Sequence, residues 1–179
     1  MRIEDSEQMA DDDPVKVLGT KISKKFSEMV DKLRSSSNPR LAALGKLTWR
    51  LVGNRVVPFA VSQEIKVIGL GIIVRGDVKL GVIMAPMDWL ERVENNPVNA
   101  MGGVVFVSSK ARDYWNGKIV TVHSEEDECR ALAYEAEYLL THPNLVPNDY
   151  QQKVLNKFPN GLASAPELVY KGKPYMDAA

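Results

Sequence analysis

His123, Glu125, Glu126, Asp127, Glu128 and Cys129 fall within the seven positions HSEEDEC, and no other segment concentrates as many reactive side chains. Imidazole, thiolate and carboxylate are the donors that hold zinc, and a histidine beside an acid is a common proton-transfer pair. Two arrangements would make use of them: a metal centre, or a hydrolase or transferase in which His123 or His142 works with a neighbouring acid. A helix start accounts for the same residues. Ser124 followed three positions later by Asp127 approximates a capping box, and four acids in the first turn suit the positive end of a helix. Cys129 then opens an apolar stripe through Leu132, Ala133, Ala136, Leu139 and Leu140, where a thiol acts as a small hydrophobe.

The metal arrangement fits poorly. His123 and Cys129 straddle a strand-to-helix corner, and no HExxH pair of histidines one turn apart exists. His142 stands at the far end of the helix expected over 125–142, about 27 Å away at 1.5 Å per residue. The expectation is a helix terminus with no metal and no cofactor. Ser108-Ser109-Lys110 places a hydroxyl near an amine, but helical residues two apart do not face each other. GLGIIVRG offers Gly69 and Gly71 but no third glycine at the fingerprint spacing, and it leads into a strand, so it lacks the helix end that would hold a pyrophosphate. Arg75-Gly76-Asp77 reads as a hairpin turn.

The elements follow from periodicity. Asp13-Pro14 supplies a cap and a first-turn proline, after which Val15, Leu18, Ile22, Phe26, Met29 and Leu33 recur at helical spacing. Pro39 opens a second helix with Leu41, Leu44, Leu47, Leu51 and Val52 aligned, ended by Gly53-Asn54. RVVPFAVS, EIKVIGLGIIV and DVKLGVIMA read as three antiparallel strands, with Pro58 placing the first at an edge and the second too apolar to face water. PMDWLERVEN is a short helix. GGVVFVSS alone resembles a strand, yet Asn96-Pro97 and Gly117 signal both ends of a helix over 97–116, which is the favoured reading despite Gly102 and Gly103 costing about 1 kcal/mol each. KIVTVHS reads as a strand, and helices over 125–142 and 147–158 follow.

The fold expected is α+β: an N-terminal amphipathic helical hairpin, a small mainly antiparallel sheet of four to five strands, and helices packed on one face. The organisation expected is a disordered acidic tail at 1–13, a basic helical hairpin at 14–53, an α+β core at 54–160 and an extended arm at 161–179. The 179 residues carry 45% hydrophobic and 26% charged side chains, the profile of a soluble domain. A lone cysteine suits a reducing compartment, the N-terminus resembles neither a secretory signal nor a presequence, and no apolar tract spans a membrane. A cytoplasmic protein is expected.

Net charge is zero but unevenly spread: six acids in residues 1–13, then ten bases against two acids in 14–55. Lys21, Lys24, Lys25, Lys32 and Arg34 are candidates for phosphate contact, with nucleic acid or an anionic membrane surface as the partner. Lys110, Arg112, Tyr114 and Trp115 mix cations with aromatics as interface hot spots do, and Tyr170 and Tyr175 join them on the C-terminal arm. The functional expectation is a non-enzymatic interaction or assembly module with a protein partner or a second copy of itself. Phosphate binding and histidine-based catalysis are the alternatives.

Overall fold

The computed structural model describes residues 13–53, 59–115 and 125–169. Along them the order is α1 (Pro14–Arg34), α2 (Pro39–Gly53), β1 (Phe59–Ser62), β2 (Gly69–Arg75), β3 (Val78–Pro86), α3 (Trp89–Asn95), α4 (Pro97–Trp115), α5 (Glu125–Leu139) and α6 (Asp149–Lys157). Two 3-10 turns, Gly161–Ser164 and Pro166–Leu168, open the segment where an extended arm is expected. The acidic tail before Asp13, Pro58, the strand expected over 118–124 and the Ser124 cap lie outside the described residues.

Local chemistry sets the helix starts. The Asp13 carboxylate accepts from the Val15 N–H at 3.0 Å, and Pro14 occupies the first turn. Asn38 does the same for α2 through the Arg40 and Leu41 N–H groups, at 3.0 and 3.2 Å. Asn96 accepts from the Asn99 N–H ahead of α4, at 3.1 Å. Asn148 and Gln151 form a reciprocal capping box on α6.

The sheet corrects the expectation. Among the described residues it has three strands in the order β1-β3-β2, rather than four to five in a mainly antiparallel arrangement. β2 and β3 form an antiparallel hairpin around Gly76, whose φ of +59° suits a tight two-residue turn. β1 instead pairs in parallel with β3, from Phe59 opposite Ile83 to Ser62 opposite Pro86. The last strand therefore inserts between the two earlier ones, so β3 and not β2 is central. Val82 and Ile83 point to opposite faces of β3 and are both buried. The stretch 97–115 adds no strand because it is helix α4.

Two apolar clusters fill the interior. One joins Ile22, Phe26 and Met29 of α1 with Leu47 and Leu51 of α2, Ile83 of β3, Trp89 of α3, and Val104, Val107 and Ala111 of α4. The other joins Leu33, Leu41 and Leu44 at the closed end of the hairpin with Val105 of α4, Ala133, Tyr134 and Leu139 of α5, Val154 of α6, and Leu162. Helix α4 thus belongs to both.

The α1–α2 hairpin closes on Gly45. A Cβ there would collide with the backbone N of Arg34 and lie 2.7 Å from the carbonyl carbon of Leu33. These are backbone atoms and cannot rotate aside. Gly45→Ala is expected to lower stability by about 1–3 kcal/mol through overpacking, although alanine is the better helix former. A thermal melt followed by circular dichroism measures it.

Candidate functional site

The HSEEDEC carboxylates do more than start a helix. Arg130, one turn into α5 and 2% exposed, gathers three of the surrounding acids. Its Nη1 donates to Asp113 Oδ2 of α4 at 2.5 Å and to Asp127 Oδ1 at 3.2 Å, and its Nη2 to Glu126 Oε1 at 2.6 Å. Its Nε donates to the Leu168 carbonyl at 2.7 Å, tying the last 3-10 turn to the same centre. Beside it Lys110 Nζ meets Glu128 Oε2 at 2.7 Å, and Arg112 Nη1 donates to the Tyr134 hydroxyl at 2.8 Å. Burial pushes the Asp113 carboxyl up to about 6 even against the opposing pull of Arg130.

This seam is a clasp between α4 and α5. Lys110 is bound to a carboxylate, and the Ser108 and Ser109 hydroxyls are fully buried without a hydrogen-bond partner, so no serine–lysine pair is assembled. Replacing Arg130 leaves Asp113 and Asp127 buried beside each other without their shared cation. Arg130→Ala is expected to cost about 3–5 kcal/mol, read as a lowered midpoint in urea.

Glu135 lies one turn further along α5 and is 2% exposed. The Tyr150 hydroxyl of α6 donates to its Oε2 at 2.7 Å, and Gly102 leaves room for it, since a Cβ there would lie 3.0 Å from Oε1. Burial is the main cause that lifts its carboxyl from 4.5 to about 7; Glu128 adds to the rise and the Tyr150 hydrogen bond opposes it. The fold therefore prefers the neutral acid. This contribution to stability is complete below pH 4.5, falls as pH rises, and is lost above about 7. Glu135→Gln is expected to flatten the fall in melting temperature across that window and to raise it at pH 8, as thermal melts along a pH series would show.

A cleft of about 460 Å³ opens where α1, α3 and α4 meet the end of α5. Met29, Leu90, Val93, Val98 and Met101 give it an apolar lining, while Lys25, Lys32, Glu94 and His142 supply its polar groups. Lys25 lies 3.5 Å from Glu28, and Lys32 has no ion-pair partner among the described residues. His142 stacks against Tyr138 with ring centroids 4.8 Å apart, and its Nδ1 lies 3.0 Å from Thr141 Oγ1 and 3.3 Å from the Tyr138 carbonyl. Burial holds the Tyr138 phenol neutral, with its pKa pushed up to about 12. The histidine is thus concave and oriented, but its hydrogen bonds go to a hydroxyl and a carbonyl.

The structure distributes the residues singled out in the sequence. Lys25 and Lys32 share this cleft, Lys24 lines a separate groove between α1 and β1, and Lys21 is exposed on α1. The Arg34 guanidinium lies over Trp49 at 4.7 Å from the ring centre and meets Asp31 at 2.6 Å. Lys110 and Arg112 are 4% and 8% exposed and direct their charges into the α4–α5 seam. Tyr114 packs its ring against Gly81 of β3, and Trp115 is the last residue of α4. His123, Tyr170 and Tyr175 lie outside the described residues. Cys129 is half-buried, with Lys157 Nζ 3.3 Å from its sulfur.

Among the described residues no group of three or more His, Cys, Asp or Glu is placed to hold a metal ion, and no helix is long and apolar enough to cross a membrane. No protein-family model, curated protein or solved structure matches this chain.

Proposed function

We propose that this protein is an interaction module that captures an acidic amphipathic segment of a protein partner. The supporting observation is the cleft, which joins an apolar lining to the cations Lys25 and Lys32. Its volume of about 460 Å³ accepts a few side chains rather than a whole helix. An amphipathic helix docks in this way, with anchors one turn apart entering an apolar groove and its charged flank meeting the rim. Met29 and Met101 bring flexible, polarisable side chains that adapt to differently shaped anchors. Glu94 stands in the same cleft and disfavours an acid close to it, so the acidic flank of the ligand runs along α1.

A peptide-display selection against the full chain tests this. Enriched peptides should pair apolar residues at helical spacing with aspartate or glutamate. They should bind the Lys25→Glu/Lys32→Glu variant about tenfold or more weakly and lose affinity with Val98→Asp. Peptides without acids, or peptides indifferent to these substitutions, would overturn the proposal. A dimer in light scattering that the Val98→Asp change dissolves would assign the cleft to a second copy instead.

A further inference from the structure

The closed end of the α1–α2 hairpin carries a second surface, unconnected with the cleft. Trp49 is 43% exposed, whereas Trp89 is 2% exposed. Lys46, Trp49 and Arg50 stand three and four positions apart on α2 and so share one side of that helix. With Arg34 and Ser35 they line a groove of about 440 Å³. Three cations line it beside one indole, and Trp49 is the only apolar side chain among the described residues that line it. Asp31 balances Arg34, while Lys46 has no ion-pair partner among the described residues.

From this arrangement we propose that the hairpin end binds single-stranded nucleic acid, with a base stacked on the Trp49–Arg34 pair and phosphates held by Lys46 and Arg50. The Arg34 guanidinium carbon already lies over the indole, 4.7 Å from the ring centre, and both groups present flat surfaces on which an unpaired base can stack. Stacking needs only one ring, which suits a groove with a single aromatic residue among the described residues that line it. A bilayer needs more, because a membrane-binding surface buries several apolar side chains among its lysines. Duplex bases are already stacked on each other and offer no free face to the ring.

The test uses the full chain and labelled oligo(dT) and oligo(U) of about 15 nucleotides, long enough for one such site. Fluorescence anisotropy should show binding at about 50 mM salt that weakens by 200 mM, with a log–log slope near −1.4 to −2.1 for two or three phosphates. Trp49→Ala should weaken binding about tenfold or more, Trp49→Phe less, and Lys46→Glu/Arg50→Glu should abolish it. Circular dichroism confirms that each variant is folded, and the phenylalanine variant keeps the test open if the alanine one is not. The two oligonucleotides distinguish DNA from RNA as the source of the bases. No binding at low salt, or binding unaffected at these positions, overturns the proposal. So does retention on anionic vesicles or acidic peptides without oligonucleotide binding, or a preference for duplex.

Discussion

Helix α4 is buried around most of its circumference along its middle, where Val104, Val105, Val107, Ser108, Ser109 and Ala111 are fully buried and Gly103 and Phe106 are partly buried. A helix so enclosed cannot send its charges to solvent, yet α4 carries Lys110, Arg112 and Asp113. Each must find a counterpart inside the protein, because a buried ion without one costs several kcal/mol. The start of α5 supplies them. Glu128 meets Lys110, Tyr134 meets Arg112, and Arg130 bridges Asp113 back to Glu126 and Asp127. The carboxylate-rich corner thus answers two demands at once, the positive end of its own helix and the buried charges of its neighbour, Lys110 directly and Asp113 by way of Arg130. The same arginine reaches the Leu168 carbonyl, so a turn nearly forty residues away depends on the way α4 is buried.

What the sequence reveals follows from how local each signal is. The helix starts at Pro14, Pro39 and Pro97 are legible because caps are made by residues within three positions of the bond they satisfy. Helix α4 is legible only through its ends. Burial around most of its circumference weakens the contrast between faces on which periodicity rests, and its valines look like a strand. The β2–β3 pairing is legible in its Gly76-Asp77 turn, but the rest of the sheet order is not. β1 and β3 are separated by β2, and no local pattern states that a later strand will insert between two earlier ones or that the outer pairing will be parallel. Each strand is readable, but the partner of β1 is not.

The side chains divide in the same way. Lys110 and Arg112 carry the composition of an exposed hot spot and lie in the seam instead, because their burial depends on α5, which is remote in sequence until the chain folds. Arg130 attracts no notice as a single residue, though its spacing of three and four from Asp127 and Glu126 is a helical ion-pair pattern. Trp49 could have been found. The stripe Leu41, Leu44, Leu47, Leu51 defines the buried side of α2, and Trp49, two positions from both Leu47 and Leu51, falls off it. A large aromatic ring on the polar side of an amphipathic helix is legible as a surface feature even when nothing identifies its ligand.

Helix α1 connects these surfaces while keeping them apart. Lys32 and Arg34 are two positions apart, and on a helix that turns them to nearly opposite sides. Lys32 therefore faces the cleft built with α3, α4 and α5, and Arg34 faces Trp49 on α2. Neither placement belongs to α1 alone. Lys32 needs Phe26 and Met29 seated in the core beneath it, and Arg34 needs the close backbone approach that Gly45 permits. A helix held on one side by core packing and on the other by a glycine contact has little freedom to rotate about its axis, because any turn that improves one side lifts the other out of contact. Lys21, Lys24, Lys25, Lys32 and Arg34, which the sequence presents as one basic stretch, are thereby divided by packing among different surroundings.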